Sequence, residues 1–398
     1  MTAAEPRSFP FSETQQLDTE PLFARLRVEE PLSRVVLPYG EPAWLATRYD
    51  DVKVVLGDPR FSRAAAIGRD EPRMRPVLPP PGNIMSMDPP DHSRLRRLAT
   101  KAFTVRRVEA LRPRTQEIAD RLVDAMLDKG APADLVADFA LPLPITVICE
   151  MLGVPFEDRG DFRYWSEAFL STTKYSIEEI TDCVGKLRGY MAGLIAQRRE
   201  QATDDLLSDL VAARDEGDKL TEDEMLSLAE GLLIAGHETT ASQIPNFVHT
   251  LLTHPDQLAL LRSDLTLVPK AVEELMRFVP LGNGTGIARY ATEDVELGGV
   301  LVRAGEPVLP VTTSANRDAA VFEDPDSLDL TRKGATHVGF GHGPHHCLGA
   351  PLARVELQVA LDTLIRRLPG FRFADPQGIT WKSGVATRGP ACLPLTWD

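Results

Sequence analysis

The chain has 398 residues, 43% of them hydrophobic and 26% charged, with a formal net charge of −14. That length can bury a large core, and an acidic balance with no basic domain speaks against nucleic acid as a partner. Cys149, Cys183, Cys347 and Cys392 stand without a CxxC pair, and the first residues, MTAAEPRSFPFSETQQ, hold neither an apolar run nor a cleavage pattern. Both observations fit a cytoplasmic protein with no membrane anchor.

In chain order, residues 33–48 (SRVVLPYGEPAWLATR) read as a β-hairpin around a Tyr-Gly-Glu-Pro turn. RYDDVKVVLGDPRFS reads as a short helix stopped by Gly57 and Pro59. Residues 62–87, rich in Pro and Arg, read as a long loop, either a functional lid or a plain surface excursion. Helices are expected at about 91–103, 105–129, 141–152, 160–171 and 177–201. No internal repeat and no clean linker interrupts the pattern, so one domain spanning 1–398 is expected.

The strongest helix signal is LTEDEMLSLAEGLLIAGHETTASQIPNFVHTLLTHPD. Thr221 and Glu224 have the Thr-x-x-Glu spacing of a capping box. From Met225 to Ile234 the stretch is apolar nearly all round, which places it in the core. Then Ala235-Gly236-His237-Glu238-Thr239-Thr240 changes its character. Gly inside a helix costs about 1 kcal/mol relative to Ala, and buried acidic and hydroxyl groups need partners. In one reading the threonines bond back to carbonyls one turn earlier. In the other, the joint interruption marks a functional site. Pro245 adds a second disturbance one turn on.

VPKAVEELMRFVP follows, with Glu274 and Arg277 at i and i+3 on one helical face. Residues 281–308 read as irregular chain and short strands, with Arg289 on the first, and 315–330 as a polar, turn-rich segment.

FGHGPHHCLG, residues 340–349, puts Cys347 in a glycine-rich turn beside three histidines and just before an amphipathic helix. A zinc site of His342, His345, His346 and Cys347 is one reading, although structural zinc sites prefer more widely separated ligands. A small buried hydrophobe is a second. The third is a thiolate: a cysteine at a helix N-terminus feels unpaired amides and the positive end of the dipole. Gly341 and Gly343 then let the backbone fold around the sulfur and tune it. Such a sulfur suits iron.

These residues resemble the haem-ligand loop of the cytochrome P450 family, and the resemblance runs along nearly the whole chain. AGHETT (235–240) is similar to the family's oxygen-activating helix segment, Glu274-Leu275-Met276-Arg277 to its ExxR pair, and DPPDHSRLRRLATKAF (88–103) to a haem-contacting helix of its bacterial members. The fold implied is mainly α with small β-sheets, with a long central helix over the haem. The resemblance makes Cys347 the axial ligand of a haem b iron and dioxygen the co-substrate. Phe340 and Gly341 belong to the same haem-binding loop. His92, Arg96, Arg289 and His345 match positions that hold haem propionates, a task suited to charge-assisted hydrogen bonds. Gly236 would give dioxygen room against an opened helix, Thr239 and Glu238 would deliver protons, and Glu274 with Arg277 would hold the loop region. Met85, Ile234, Thr285 and Val385 are candidate substrate contacts.

The implied reaction is monooxygenation. Electrons would come from a ferredoxin and ferredoxin reductase with NAD(P)H, since the chain has no flavin or nicotinamide fingerprint. The basic residues Arg94, Arg96, Arg97, Lys101, Arg106 and Arg107 form either a docking patch for such a ferredoxin or a solvated face. FPF (9–11), VPLGxGT (279–285) and HHCLGAPLARVELQVAL are similar to actinobacterial macrolide-tailoring members, of the mycinamicin hydroxylase/epoxidase type. This implies a monomeric enzyme that hydroxylates or epoxidises a bulky secondary metabolite in antibiotic biosynthesis. Oxidative coupling of a cyclic dipeptide and a non-catalytic haem-binding role are the alternatives.

Overall fold

Neighbouring residues of one strand leave for different cores in the first of two compact units, Met1–Ser93 with Glu273–Cys347. A computed structural model describes residues 5–12, 16–78, 82–155, 158–215, 220–282 and 285–398. The first unit holds a six-stranded sheet in the order Arg7–Ser8, Leu32–Val36, Ala43–Ala46, Pro307–Pro310, Arg289–Ala291, Phe61–Ser62. The hairpin expected over 33–48 is its centre, antiparallel with Arg34 opposite Trp44. Side chains alternate across a strand. Ala46 and Val308 therefore join Tyr49, Val52 and Phe322 in one cluster, while Leu45 and Leu309 join Phe9, Phe23 and Leu26 in another. Both faces of the sheet are thus covered. The helix Tyr49–Gly57 lies on the first face, with Asp50 and Asp51 in its first turn, where the dipole favours acidic groups.

The second unit, Arg94–Val272 with Leu348–Asp398, carries most of the helix. Its axis is the helix Glu222–Thr253, 32 residues long and called the central helix below. Both halves of the capping box form at its start: Glu224 N donates to Thr221 Oγ1 at 3.1 Å, and Thr221 N to Glu224 Oε2 at 2.8 Å. Nearly every residue from Thr240 to Leu251 is buried, polar ones such as Ser242, Gln243 and Asn246 included. Helices Pro142–Leu152, Ile177–Glu200 and Ala350–Arg367 pack on it, and Val105–Lys129 packs on the last of these. The central helix runs through 235–240 and through Pro245 without a break. Neither the opening at Gly236 nor the disturbance at Pro245 interrupts it, because packing on several sides outweighs the local helix penalties.

The fold also contains elements for which the sequence has little signal. Helices Leu22–Glu29, Leu206–Asp215 and Pro255–Ser263 are short, and the strands between residues 372 and 396 have two or three residues each. Two of the latter, Thr380–Trp381 and Pro390–Cys392, form the C-terminal hairpin.

The cysteine loop lies on the helix Tyr49–Gly57, and Gly343 is the point of closest approach. At φ +70° a Cβ there would lie 2.5 Å from Leu56 O and 2.7 Å from Gly57 Cα. At Gly341, φ +75°, a Cβ would come no closer than 3.9 Å to its neighbour His345 O. The two glycines therefore separate strain from contact. Gly343→Ala should cost about 2–5 kcal/mol, combining left-handed strain with a backbone clash. Gly341→Ala should cost only the strain, about 1–2 kcal/mol. Thermal unfolding of both variants measures the difference.

Candidate active site

A buried ion pair holds the approach to the cysteine loop. In the first unit Arg277 Nε donates to Glu274 Oε2 and Nη2 to Oε1, each at 2.8 Å, so the pair is bidentate. Arg277 Nη1 also donates to the carbonyls of Asn316 (2.8 Å) and Pro325 (2.7 Å), and Nη2 to that of Ser327 (3.1 Å). Arg332 Nε reaches both oxygens of Glu274, at 3.0 and 3.1 Å. The pair thus becomes a triad wrapped in backbone acceptors, and the polar segment 316–332 is folded around it. Asn316 then passes the order on, because its Oδ1 accepts Val338 N at 2.8 Å, two residues before Phe340. Gly341 N donates to Val338 O at 2.9 Å and Cys347 N to Phe340 O at 2.8 Å, which closes the loop. Cys347 itself is exposed.

Beside this loop the same unit gathers cations. His92 is buried, and its ring centroid is 4.1 Å from that of His345. His345 Nε2 faces Met87 O at 3.0 Å, so that nitrogen carries a proton, while Nδ1 is buried without a partner. Arg289, 4% exposed on its strand, likewise buries Nη1 without a partner. Burial, then the positive Arg289 and His92, depress the His345 pKa to about 3, and burial with Arg63 nearby lowers that of Arg289 to about 10. Arg63 is fixed by Glu71 Oε2 at 2.9 Å and by Met85 O at 2.9 Å. A buried guanidinium donor without an acceptor suits an anionic group, and so does a neighbouring imidazole nitrogen that becomes a second donor once an anion raises its proton affinity; two carboxylates would satisfy Arg289 Nη1 and His345 Nδ1 in that form. The propionates of a haem have that chemistry, and the thiol of Cys347 offers iron a ligand. The residues fit the group. Among the described residues, no three or more His, Cys, Asp or Glu side chains gather around a metal-sized site.

In the second unit each polar residue that interrupts the central helix has its own partner. A Cβ on Gly236 would lie 2.6 Å from Ile148 Cγ1, so this glycine lets the helix Pro142–Leu152 approach. His237, fully buried, donates from Nδ1 to Leu233 O at 2.9 Å, and burial lowers its pKa, keeping it neutral. Thr239, half-buried, donates back to Ala235 O at 3.0 Å. Glu238 Oε1 accepts Lys382 Nζ at 2.5 Å and Thr387 Oγ1 at 3.3 Å. Glu356, fully buried on the helix Ala350–Arg367, lies beside Thr240, and burial raises its pKa well above the usual carboxylate range.

The remaining candidates are dispersed. Arg96 is half-buried, one turn after His92 on the helix Asp91–Thr100. Of the basic residues nearby, Arg94 pairs with Glu224 at 2.5 Å and Arg107 with Asp209 at 3.1 Å. Met85 is 38% exposed, Ile234 is buried and Thr285 is half-buried. Val385 lines a cavity of about 410 Å3 in the second unit, together with Glu238 and Lys382. Asn283 and Gly284 of the LGNGTG stretch lie outside the described residues. The sequence reading passed over Arg63, Arg332, Glu356 and Lys382. Glu356 had a signal, since it occupies the apolar stripe of its helix, where a charge is out of place.

The cytochrome P450 family model matches residues 162–380. Mycinamicin IV hydroxylase/epoxidase of Micromonospora griseorubida is 55% identical over 398 residues, covering 100% of both chains. Nocardicin C N-oxygenase of Nocardia uniformis subsp. tsuyamanensis is also 55% identical, over 399 residues and 100% of both. Among solved structures, the mixed-function P450 MycG has a TM-score of 0.91 at 55% identity, covering 99% of this chain and 100% of that one. HinD with NMFT and NO has a TM-score of 0.96 at 51% identity, covering 98% and 99%.

A mainly helical chain with small sheets and a cysteine loop beside a buried cationic cluster is of the haem-thiolate class. The chain belongs to the cytochrome P450 family. Its reaction class is that of a dioxygen-dependent monooxygenase, and the family works on small molecules with electrons from redox partners. No described helix is long and apolar enough to cross a membrane.

Two expected outcomes test the buried polar groups. Arg277→Lys loses the fork and most of the carbonyl bonds while keeping the charge, and should cost about 3–5 kcal/mol in denaturant unfolding. For Glu356, a raised native pKa means a stability contribution present at low pH that is lost as pH rises toward the native pKa. Above about pH 5 unfolding then releases one proton from this group, at about 1.4 kcal/mol per pH unit. Glu356→Gln removes that release, so its stability relative to wild type should increase from pH 5 to pH 8.

Proposed function

We propose that residues 1–398 act as one P450 domain that hydroxylates or epoxidises a bulky secondary metabolite, a macrolide polyketide, in antibiotic biosynthesis. Cys347 Sγ would be the axial ligand of a haem b iron. Arg289 Nη1 and His345 Nδ1 would hold its carboxylates together with His92 and Arg96, and Phe340 and Gly341 would shape the loop around the sulfur. When bound, the haem supplies reductive activation of dioxygen and oxygen-atom transfer. The observation that carries this reading is the pair of buried nitrogens without a protein partner, Arg289 Nη1 and His345 Nδ1, beside the cysteine loop.

The chain's own residues then manage protons, water and position. Monooxygenation consumes two protons and two electrons for each dioxygen, one oxygen atom entering the substrate and the other leaving as water. Protons must therefore reach a site that is otherwise kept dry. Glu238 Oε1, held by Lys382 and Thr387, is the group that carries a proton, and Thr239 Oγ1 is the hydroxyl that passes it on. In the ground state that hydroxyl donates to Ala235 O at 3.0 Å, so it must rotate away before it can donate elsewhere. Gly236, with no Cβ to meet Ile148, lets the helix Pro142–Leu152 pack against this turn. Met85 and Thr285 in the first unit, and Ile234 and Val385 in the second, are the candidate substrate contacts. Electrons come from a ferredoxin and its reductase with NAD(P)H, docked on the basic face of Arg96, Arg97, Lys101 and Arg106. The protein works as a monomer in the cytoplasm.

Support for a macrolide is the full-length 55% identity with the mycinamicin IV enzyme. The nocardicin C enzyme is equally similar, so the substrate test spans both chemistries. It is an optical titration of the haem-loaded ferric protein with glycosylated macrolides, their aglycones and amine-bearing peptides. A saturable Soret shift with a macrolide, and an oxygenated product from that compound, is the expected result. A response confined to the amine-bearing peptides would replace the macrolide with an N-oxygenation substrate. The same spectra taken on Cys347→Ser should lose the thiolate signature.

A further inference from the structure

The cavity in the second unit has a wall that the steps above use only in part. Glu238 is 4% exposed, yet it belongs to the lining, along with Arg163, Glu167, Lys174 and Trp381. A space of about 410 Å3 with several charged groups suits ordered water, which needs such partners to enter. Lys382 Nζ stands 2.5 Å from Glu238 Oε1 and 2.9 Å from Ser242 Oγ. Glu238 and Ser242 are one turn apart, so the ammonium bridges two rungs on one face of the central helix.

The backbone that carries this lysine is fixed. Lys382 N donates to Gly389 O at 2.9 Å within the C-terminal hairpin. The hairpin is tied to the central helix by Asn246 Nδ2, which donates to Arg388 O at 3.1 Å. It is tied to the segment after helix Arg159–Phe169 by the amides of Thr172, Thr173 and Lys174, which donate to Gly384 O at 2.8, 3.0 and 3.1 Å. What can move is the four-carbon side chain of Lys382 and its ammonium.

We infer that this cavity is the water inlet of the site and that Lys382 is a positioning residue that holds Glu238 toward it. The inference rests on the reading of Glu238 as the proton-carrying group. With the ammonium in place, the carboxylate is held as an ion at the edge of the cavity. When Lys382 swings away, Glu238 takes a proton from cavity water and can turn to deliver it toward Thr239. A proton then replaces the ammonium as the neutralising partner, so the buried carboxyl never stands uncompensated. Without Lys382 that exchange has no starting state.

The test follows NADPH-driven dioxygen reduction in H2O and D2O, using the haem-loaded protein with a surrogate ferredoxin and its reductase. Lys382→Met is expected to slow the reaction on the order of tenfold and to enlarge the solvent isotope effect. Lys382→Arg should restore most of the rate. Adding Lys382→Met to Glu238→Gln should slow it no further, because both act on one group. Thermal unfolding of the same proteins should show the pair coupled, the double variant losing less than the sum of the singles. If Lys382→Met keeps both rate and isotope effect while Glu238→Gln loses them, the inference falls alone. If Glu238→Gln keeps both, the proton reading falls and takes the inference with it. Slowing that Lys382→Arg does not rescue, and that adds to Glu238→Gln, would show general damage and also overturn it.

Discussion

Much of the first unit depends on one carboxylate. Glu274 accepts two hydrogen bonds from Arg277, two from Arg332 and one from Asp329 N at 3.0 Å. Two guanidinium groups would be too much charge for one carboxylate, but both are also donors to backbone carbonyls of that turn-rich segment. The segment 316–332 has almost no regular structure, so backbone amides of its own reach only some of its carbonyls, such as those of Asp318, Asp324 and Asp329. The arginines satisfy others. That turns a buried ion pair, ordinarily a poor source of net stability, into the device that gives an irregular chain a single conformation. Asn316 carries the consequence to Val338, and from there the loop that presents Cys347 is set.

The cationic cluster works in the opposite sense. Around Glu274 every charge is matched within the protein, whereas Arg289 Nη1 and His345 Nδ1 are buried with no protein acceptor. Desolvation, aided by Arg63 at Arg289 and by Arg289 at His345, pushes both groups toward their neutral forms. A protein that only had to fold would put an acid there. The chain instead places its acids elsewhere: Glu71 on Arg63, and Asp88 on Ser62 and the backbone of residues 63 and 64. The deficit of negative charge is therefore specific to the two side chains that would meet a ligand, and the energy of that deficit becomes available to an anionic group when it binds.

Legibility in the sequence followed how local the determining interaction is. The hairpin over 33–48, the helices over 105–129 and 268–278, and both halves of the Thr221–Glu224 capping box are fixed by neighbours a few residues away, and their pattern shows in the string. The short helix Leu206–Asp215 and the two-residue strands near the C-terminus owe their existence to packing partners far along the chain, which leave no period behind. The site divided the same way. Cys347 and the Glu274–Arg277 spacing stand out as motifs, whereas Lys382 lies 144 residues from Glu238 and looks like any surface lysine. Gly236 was legible as an anomaly, but its contact with Ile148 was not.

The interruption of the central helix is also where the two readings of its sequence meet. Back-bonding of threonine to a carbonyl one turn earlier and a role in chemistry were set against each other, yet Thr239 shows how one can serve the other. Its bond to Ala235 O uses the hydroxyl's one donor, which leaves its oxygen lone pairs able to accept a hydrogen bond. Thr240, by contrast, turns toward Glu356 and the core, and Glu238 toward Lys382 and the cavity. Three consecutive residues of a helix point about 100° apart, so a run of Glu-Thr-Thr sends polar groups to three different surroundings at one level. A single polar residue could only have been buried or exposed. The triplet lets one turn of the helix meet three environments, the lysine at the cavity, the backbone of its own preceding turn and the buried Glu356, while the helix itself stays unbroken.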